Sequence, residues 1–150
     1  MHLRKTPFAS VGLAACFALG CGNDATGLAA SDFVGNWNVT KADFINPTNP
    51  AQHLDLIAEG HVVTAAFTSN GRYALTFTEP GAAPQTEVGD WFIQQSMFVQ
   101  RADVDPDALV RFTVEFGTGA VTLTTMDSEY DLDGDDIDDP TRLVLVLERQ

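Results

Sequence analysis

The chain has 150 residues, enough for one domain, and carries a formal net charge of −13 at neutral pH. Acidic residues number 21 and basic residues 8, which argues against a nucleic-acid partner and against a basic patch that docks on anionic lipid. Both cysteines lie within the first 21 residues, so the remainder must fold without disulfides.

Residues 1–20 are typical of a secretory signal, with a basic start followed by an uncharged apolar stretch. The segment Ala18-Leu19-Gly20-Cys21 resembles a bacterial lipobox, in which the signal is cleaved and the new N-terminal cysteine carries lipid. Leu13-Ala14-Ala15-Cys16 is the alternative, and it matches the usual lipobox residues better. We favour Cys21 because it leaves the longer apolar stretch and because polar residues follow it.

The lipobox resemblance implies an exported bacterial lipoprotein of the cell envelope, facing the periplasm and held to a membrane by its N-terminal lipid. By resemblance to known lipoprotein sorting, Gly22 rather than Asp after the lipidated cysteine implies the outer membrane in bacteria that have one. Residues 21–31 are small and polar and are interpreted as a flexible tether. The folded domain is predicted over residues 32–150.

From residue 32 onward, short segments of alternating apolar and polar residues are separated by turn residues, a pattern typical of β-strands. The sequence predicts eight strands, at residues 37–44, 62–69, 72–79, 88–93, 96–104, 108–116, 120–126 and 141–149. Asn70-Gly71 is a strong hairpin signal. Such a series indicates an all-β barrel or, as the alternative, a β-sandwich. Residues 46–60 favour a short helix that begins at Pro50, with a strand as the alternative.

The first predicted strand is opened by Phe33-Val34-Gly35-Asn36-Trp37. This segment resembles the Gly-x-Trp signature of lipocalin-like barrels, in which the tryptophan plugs the closed end and an arginine of the last strand lies across its ring. Arg149 holds the matching position. It shares a strand face with Leu143, Leu145 and Leu147, which is expected for an inward-facing position.

The order of features along residues 33–149 is similar to that of bacterial lipocalin-like lipoproteins. After the leader and Gly-x-Trp come the Asn70-Gly71 hairpin, a second tryptophan strand at Gly89-Asp90-Trp91, and a final apolar strand. The resemblance implies an antiparallel up-and-down barrel of about eight strands. It also implies that Trp37 and Arg149 form a structural pair that closes the barrel.

Two functions without catalysis follow from this resemblance. As a binding module, the barrel would hold a small apolar ligand in its mouth. As a structural or interaction protein of the envelope, it would be filled by its own side chains. A set of bulky residues expected to point inward favours the filled barrel. These residues are Trp37, Phe67, Phe77, Phe112, Phe116 and Leu145.

No catalytic residue is predicted, because the sequence has no Gly-x-Ser-x-Gly motif and no phosphate-binding loop. His53 and His61 are interpreted as surface or loop histidines, since a zinc site needs three or four converging ligands. Asp103, Asp105 and Asp107 alternate around Pro106, and this pattern is interpreted as a turn rather than a metal site.

An acidic hairpin precedes the last strand, with eight of the 21 acidic residues in residues 127–139. Asp131, Asp133 and Asp135 alternate as in calcium loops, and Asp138 could supply a later ligand. Neither frame gives a complete EF-hand, because Pro140 or Arg142 falls at the twelfth position. Two interpretations stay open. We favour a structural turn, and the alternative is a Ca²⁺ site that relieves the repulsion.

Overall fold

Nine β-strands follow a short 3₁₀ helix (Ala30–Asp32) in the computed structural model, which describes residues 27–150. The strands are β1 (Gly35–Ile45), β2 (His53–Asp55), β3 (Val62–Phe67), β4 (Arg72–Thr78), β5 (Gln85–Gln94), β6 (Met97–Ala102), β7 (Val110–Phe116), β8 (Ala120–Tyr130) and β9 (Asp139–Arg149). Each of the eight predicted strands overlaps one of these, because turn residues separate the alternating segments.

Eight of the strands form a closed antiparallel barrel in which β3 to β9 pair in sequential order. The barrel closes because β1 pairs with β3 on one side and with β9 on the other. The predicted all-β, up-and-down barrel is therefore confirmed, and the β-sandwich alternative is wrong. Strand β2 lies outside the barrel and pairs only with residues 43–45 of β1.

The short helix predicted within residues 46–60 is wrong, since this segment forms the strand β2 followed by turns. Asn46 competes with a helix because its side-chain oxygen accepts the amides of Thr48 and Asn49 at 2.9 and 3.1 Å. Farther along, the Asp55 carboxylate accepts the amides of Ala42 and Ile57, each at 3.1 Å. Asp55 thus ties the segment to β1, and the strand alternative is correct over three residues.

The two ends of the barrel are filled differently. At the end where β1 begins, the buried aromatic residues Phe67, Trp91 and Phe98 pack in edge-on and stacked contacts, with ring centroids 5.2–5.6 Å apart. At the opposite end, side chains such as Leu75 and Leu145 are only partly buried against the core. The first end is called the closed end and the second the open end.

Gly89 allows β5 to pack tightly against its neighbours at the centre of the barrel wall. It lies opposite Tyr73 of β4 and Ala102 of β6. A Cβ atom at this position would lie 2.2 Å from the carbonyl oxygen of Arg101 and 2.6 Å from Cε1 of Tyr73. Only a glycine therefore fits beside the Tyr73 ring without moving β6.

We expect Gly89→Ala to lower the free energy of unfolding by about 1–3 kcal/mol, because β6 or the Tyr73 ring must shift. Urea unfolding followed by tryptophan fluorescence measures this change. Gly117→Ala is the matched control, since a Cβ there would have its nearest neighbour, the Ala120 carbonyl oxygen, at 3.7 Å. Equal destabilisation by the two substitutions would contradict this account of Gly89.

Candidate functional site

The closed end is secured by Arg149, whose guanidinium carbon lies 4.4 Å from the centroid of the Trp37 ring. The two residues are direct partners in the register of β1 and β9, which explains why they meet. Arg149 also donates hydrogen bonds to the carbonyl oxygens of Val34 and Asp32 at 3.0 and 2.7 Å. The structure thus brings the sequence-predicted pair together and links it to the chain before β1.

Gly35 of the Gly-x-Trp segment has two reasons to be a glycine. Its φ is +138°, a region that residues with a side chain rarely adopt. A Cβ atom there would also lie 2.9 Å from Nη1 of Arg149. The glycine therefore leaves space for the Arg149 guanidinium beside the Trp37 ring.

Phe33 is a plug residue that sequence reasoning missed. It is 1% exposed, and its ring centroid lies 4.8 Å from that of Phe98 and 6.0 Å from that of Trp91. Its carbonyl oxygen accepts a hydrogen bond from Nε1 of Trp37 at 2.7 Å. Leu28, in the range predicted as a tether, is also buried in the core. Their apolar character was the only available signal.

A cavity of about 550 Å³ occupies the open end of the barrel. Its walls are mostly apolar. The apolar residues that line it are Ala42, Phe44, Leu56, Val63, Leu75, Phe77, Val104, Val110, Phe112, Leu143 and Leu145. The polar residues are Gln85, Thr86, Glu87, Gln100, Thr125, Asp127 and Ser128. The volume is within the range of small-molecule sites.

The expectation of a barrel filled by bulky inward residues holds only at the closed end. Trp37 and Phe67 are buried there, whereas Phe77 and Leu145 line the cavity. Phe112 does both, since it is buried and also forms part of the cavity wall. Phe116 lies at the closed end, 51% exposed, with its ring 5.9 Å from that of Phe33.

Tyr73 connects the buried core to the polar edge of the cavity. Its hydroxyl donates a hydrogen bond to Oε1 of Glu87 at 2.6 Å. Burial, reinforced by this hydrogen bond, raises the pKa of Tyr73 far above its ordinary value. The hydroxyl therefore remains a donor and fixes one carboxylate oxygen of Glu87.

Four charged side chains form an ion-pair network on strands β4 to β6 and the loop that follows. Arg72 pairs with Asp90 at 2.7 Å and with Asp103, and Arg101 also pairs with Asp90. Hydrogen bonds from Arg101 and Arg72 hold the pKa of Asp90 below its ordinary value. Asp103, the first aspartate of the alternating series that includes Asp105 and Asp107, therefore forms an ion pair with Arg72.

His53 and His61 have separate surroundings. The Nδ1 atom of His53 lies 2.9 Å from Oδ1 of Asp43, and not against the sequence neighbour Asp55. Asp43 is 4% exposed and also pairs with Lys41 at 3.1 Å, so this cluster fastens β2 to β1. His61 stacks on Phe77, with ring centroids 5.0 Å apart, behind the cavity wall.

The acidic hairpin brings Asp131, Asp133 and Asp135 together, with one carboxylate oxygen of each within 4.8 Å of the others. Asp138 is not part of this group. Asp131 organises the turn, because its carboxylate accepts the amides of Gly134 at 2.7 Å, Asp136 at 3.0 Å and Asp135 at 3.2 Å. The triad could hold a metal ion, and the amide bonds also give the turn a structure of its own.

The carboxylates of this triad respond differently to their surroundings. Desolvation raises the pKa of Asp131, but hydrogen bonds from the amides of Gly134, Asp136 and Asp135 outweigh it and hold that pKa below its ordinary value. Repulsion from Asp135, followed by desolvation, raises the pKa of Asp133. Ionised Asp133 therefore carries the unfavourable interaction that a cation would relieve.

Comparisons with known proteins give this chain no family. No family model matches the sequence, and no curated protein matches it significantly. Across residues 27–150, no helix is long and apolar enough to cross a membrane. The lipidation candidates Cys21 and Cys16 lie outside the described residues.

We expect Arg149→Ala to lower the free energy of unfolding by about 1–3 kcal/mol, since it removes the stacking on Trp37 and two charge-assisted hydrogen bonds. Arg149→Lys should recover only part of this loss, because one ammonium cannot reproduce the planar fork. Chemical denaturation measures both. Arg142→Ala, an exposed position on the same strand, is the control, and an equal loss there would contradict the special role of Arg149.

Proposed function

We propose that this protein is a non-catalytic, lipid-anchored and exported lipocalin-like protein that binds a small apolar ligand in the open end of its barrel. The observation that carries the proposal is the cavity of about 550 Å³ with mostly apolar walls. Aromatic rings fill the closed end, so the barrel keeps its stability while the other end stays hollow.

Several features support a binding role over a purely structural one. Each of the eight barrel strands contributes at least one residue to the cavity wall. Side chains such as Phe77 and Leu145 are only partly buried, so a ligand would remove further apolar area from water. The alternative is a structural or protein-interaction lipoprotein of the envelope, whose barrel would have no ligand.

Binding of a neutral, apolar fluorescent dye tests the cavity, and native mass spectrometry of protein from its own membrane tests for a retained ligand. We expect Leu145→Trp to weaken dye binding by about tenfold or more, because the indole would fill the cavity. Val146→Trp is the control, since Val146 is the next residue of β9 and does not line the cavity. Equal effects, or no dye binding by the unmodified protein, would favour the structural alternative.

The lipid anchor is the part of the proposal that rests on the sequence alone. We expect Cys21→Ser to move the protein from the membrane fraction to the soluble fraction of the envelope, because a lipidated cysteine would be its attachment. Mass spectrometry of the N-terminal peptide gives an independent readout. If the Cys16→Ser protein is released to the soluble fraction and the Cys21→Ser protein stays membrane-bound, the alternative cysteine carries the lipid.

Calcium binding by the acidic hairpin is a second candidate property, favoured by the convergence of Asp131, Asp133 and Asp135. The ligand set is smaller than that of an EF-hand, and Asp131 already accepts three amides. An affinity on the order of 10⁻⁴–10⁻³ M is therefore expected. The ion would stabilise the hairpin by relieving the repulsion at Asp133.

We expect millimolar Ca²⁺ to raise the melting temperature at pH 7 and Asp133→Asn to reduce the increase. Protons relieve the same repulsion, because the pKa of Asp133 is raised in the folded state, so the calcium effect should shrink as the pH falls toward 4. Asp138→Asn, outside the triad, is the control. No shift in melting temperature and no heat on titration would leave the hairpin as a structural turn.

A further inference from the structure

The wall of the barrel is low on one side of the open end. Strand β6 ends at Ala102 and β7 begins at Val110, and only three residue pairs join these two strands. On either side, β5 extends back to Gln85, and β8 continues to Tyr130. Only the loop of residues 103–109 lies between residues 85–88 of β5 and residues 126–130 of β8, with Asp103 hydrogen-bonded to Val88, and this part of the wall is called the notch.

The cavity reaches the notch, because its lining includes Glu87 on the β5 side and Asp127 and Ser128 on the β8 side. Glu87 lies opposite Leu75 in the register of β4 and β5, and both side chains line the cavity. Asp127 follows Thr125 at a bulge of β8, where its amide hydrogen-bonds to the Thr125 hydroxyl at 2.9 Å. The two carboxylates therefore lie on opposite edges of the same opening.

Charge at the cavity is of one sign. Among the described residues that line it, the ionisable side chains are Glu87 and Asp127, and none is basic. Tyr73 supplies a neutral donor to one oxygen of Glu87. Within residues 27–150, the one donor to the Asp127 carboxylate is the Arg111 amide at 3.4 Å, a long hydrogen bond. Each carboxylate thus keeps acceptor capacity for a ligand.

Nearby basic residues offset this charge only in part. Arg111 is exposed and lies with Asp127 beside a separate hollow lined by Met97 and Met126. Arg72 is committed to Asp90 and Asp103. An anionic head group in the notch would meet two carboxylates and no basic side chain of the cavity lining, so like charges would repel it.

We propose that the ligand of this cavity is a cationic amphiphile, with an apolar chain in the barrel and an amine or quaternary ammonium head between Glu87 and Asp127. This inference rests on the proposed function and names its ligand class. Long-chain carboxylates are selected against, because their head group would repel the same two side chains.

Three probes with twelve-carbon chains test the proposal: dodecyltrimethylammonium, dodecanol and dodecanoate. The two ions are used below their critical micelle concentrations and the alcohol below its solubility limit. Displacement of a neutral apolar dye reports binding, and a physiological ionic strength of about 0.15 M screens distant charges. We expect the ammonium to bind about tenfold or more tightly than the carboxylate, with the alcohol between them. Dodecanoate binding as tightly as the ammonium would overturn the inference and leave the proposed function intact.

Charge-removing variants locate the head group. Glu87→Gln and Asp127→Asn should each narrow the preference for the ammonium over the carboxylate by about threefold or more, with dodecanol binding unchanged. Glu115→Gln is the control, because it removes the same charge from an exposed position of β7 outside the cavity. A similar narrowing of the preference by Glu115→Gln would attribute it to net charge and overturn the placement of the head group between Glu87 and Asp127. Failure of all three probes to bind would refute the proposed function itself.

Discussion

Closure of the barrel depends on the pairing of β1 with β9, and the stacking of Arg149 on Trp37 reinforces one end of this ladder. A sheet of eight sequentially paired strands has two free edges until β1 and β9 meet. The guanidinium covers the indole and also bonds the carbonyl oxygens of Asp32 and Val34, so closure of the sheet and docking of the N-terminal 3₁₀ segment are coupled. Gly35 is required by the same arrangement, since a side chain there would meet Arg149.

Closure at one end allows the other end to be hollow. The buried rings of Phe33, Trp91 and Phe98 concentrate apolar burial where the barrel is plugged. The open end keeps partly buried apolar walls, and its strands are held by hydrogen bonds of the ladder. The barrel is therefore filled by side chains at the closed end and hollow at the other.

Features fixed by local pattern could be predicted from the sequence, and features fixed by distant contacts could not. Alternation and turn residues predict the eight barrel strands, and the parity of the last strand predicts that Arg149 faces inward. Phe33 was missed as a plug because its burial depends on Phe98 and Trp91, which lie far along the chain. Residues 46–60 were assigned to a helix because the pattern does not show that Asp55 would reach the amide of Ala42. The cavity itself depends on how all the strands are arranged.

The short pairing of β6 with β7 also has a consequence for motion. A closed barrel opens most readily at the seam with the fewest ladder hydrogen bonds, and here that seam consists of the pairs at Phe98, Val99 and Gln100. This seam borders the cavity at Gln100, whereas the stacking of Arg149 on Trp37 lies at the opposite end of the barrel. The seam with the fewest pairs is therefore separate from the joint between the first and last strands, which has eight residue pairs.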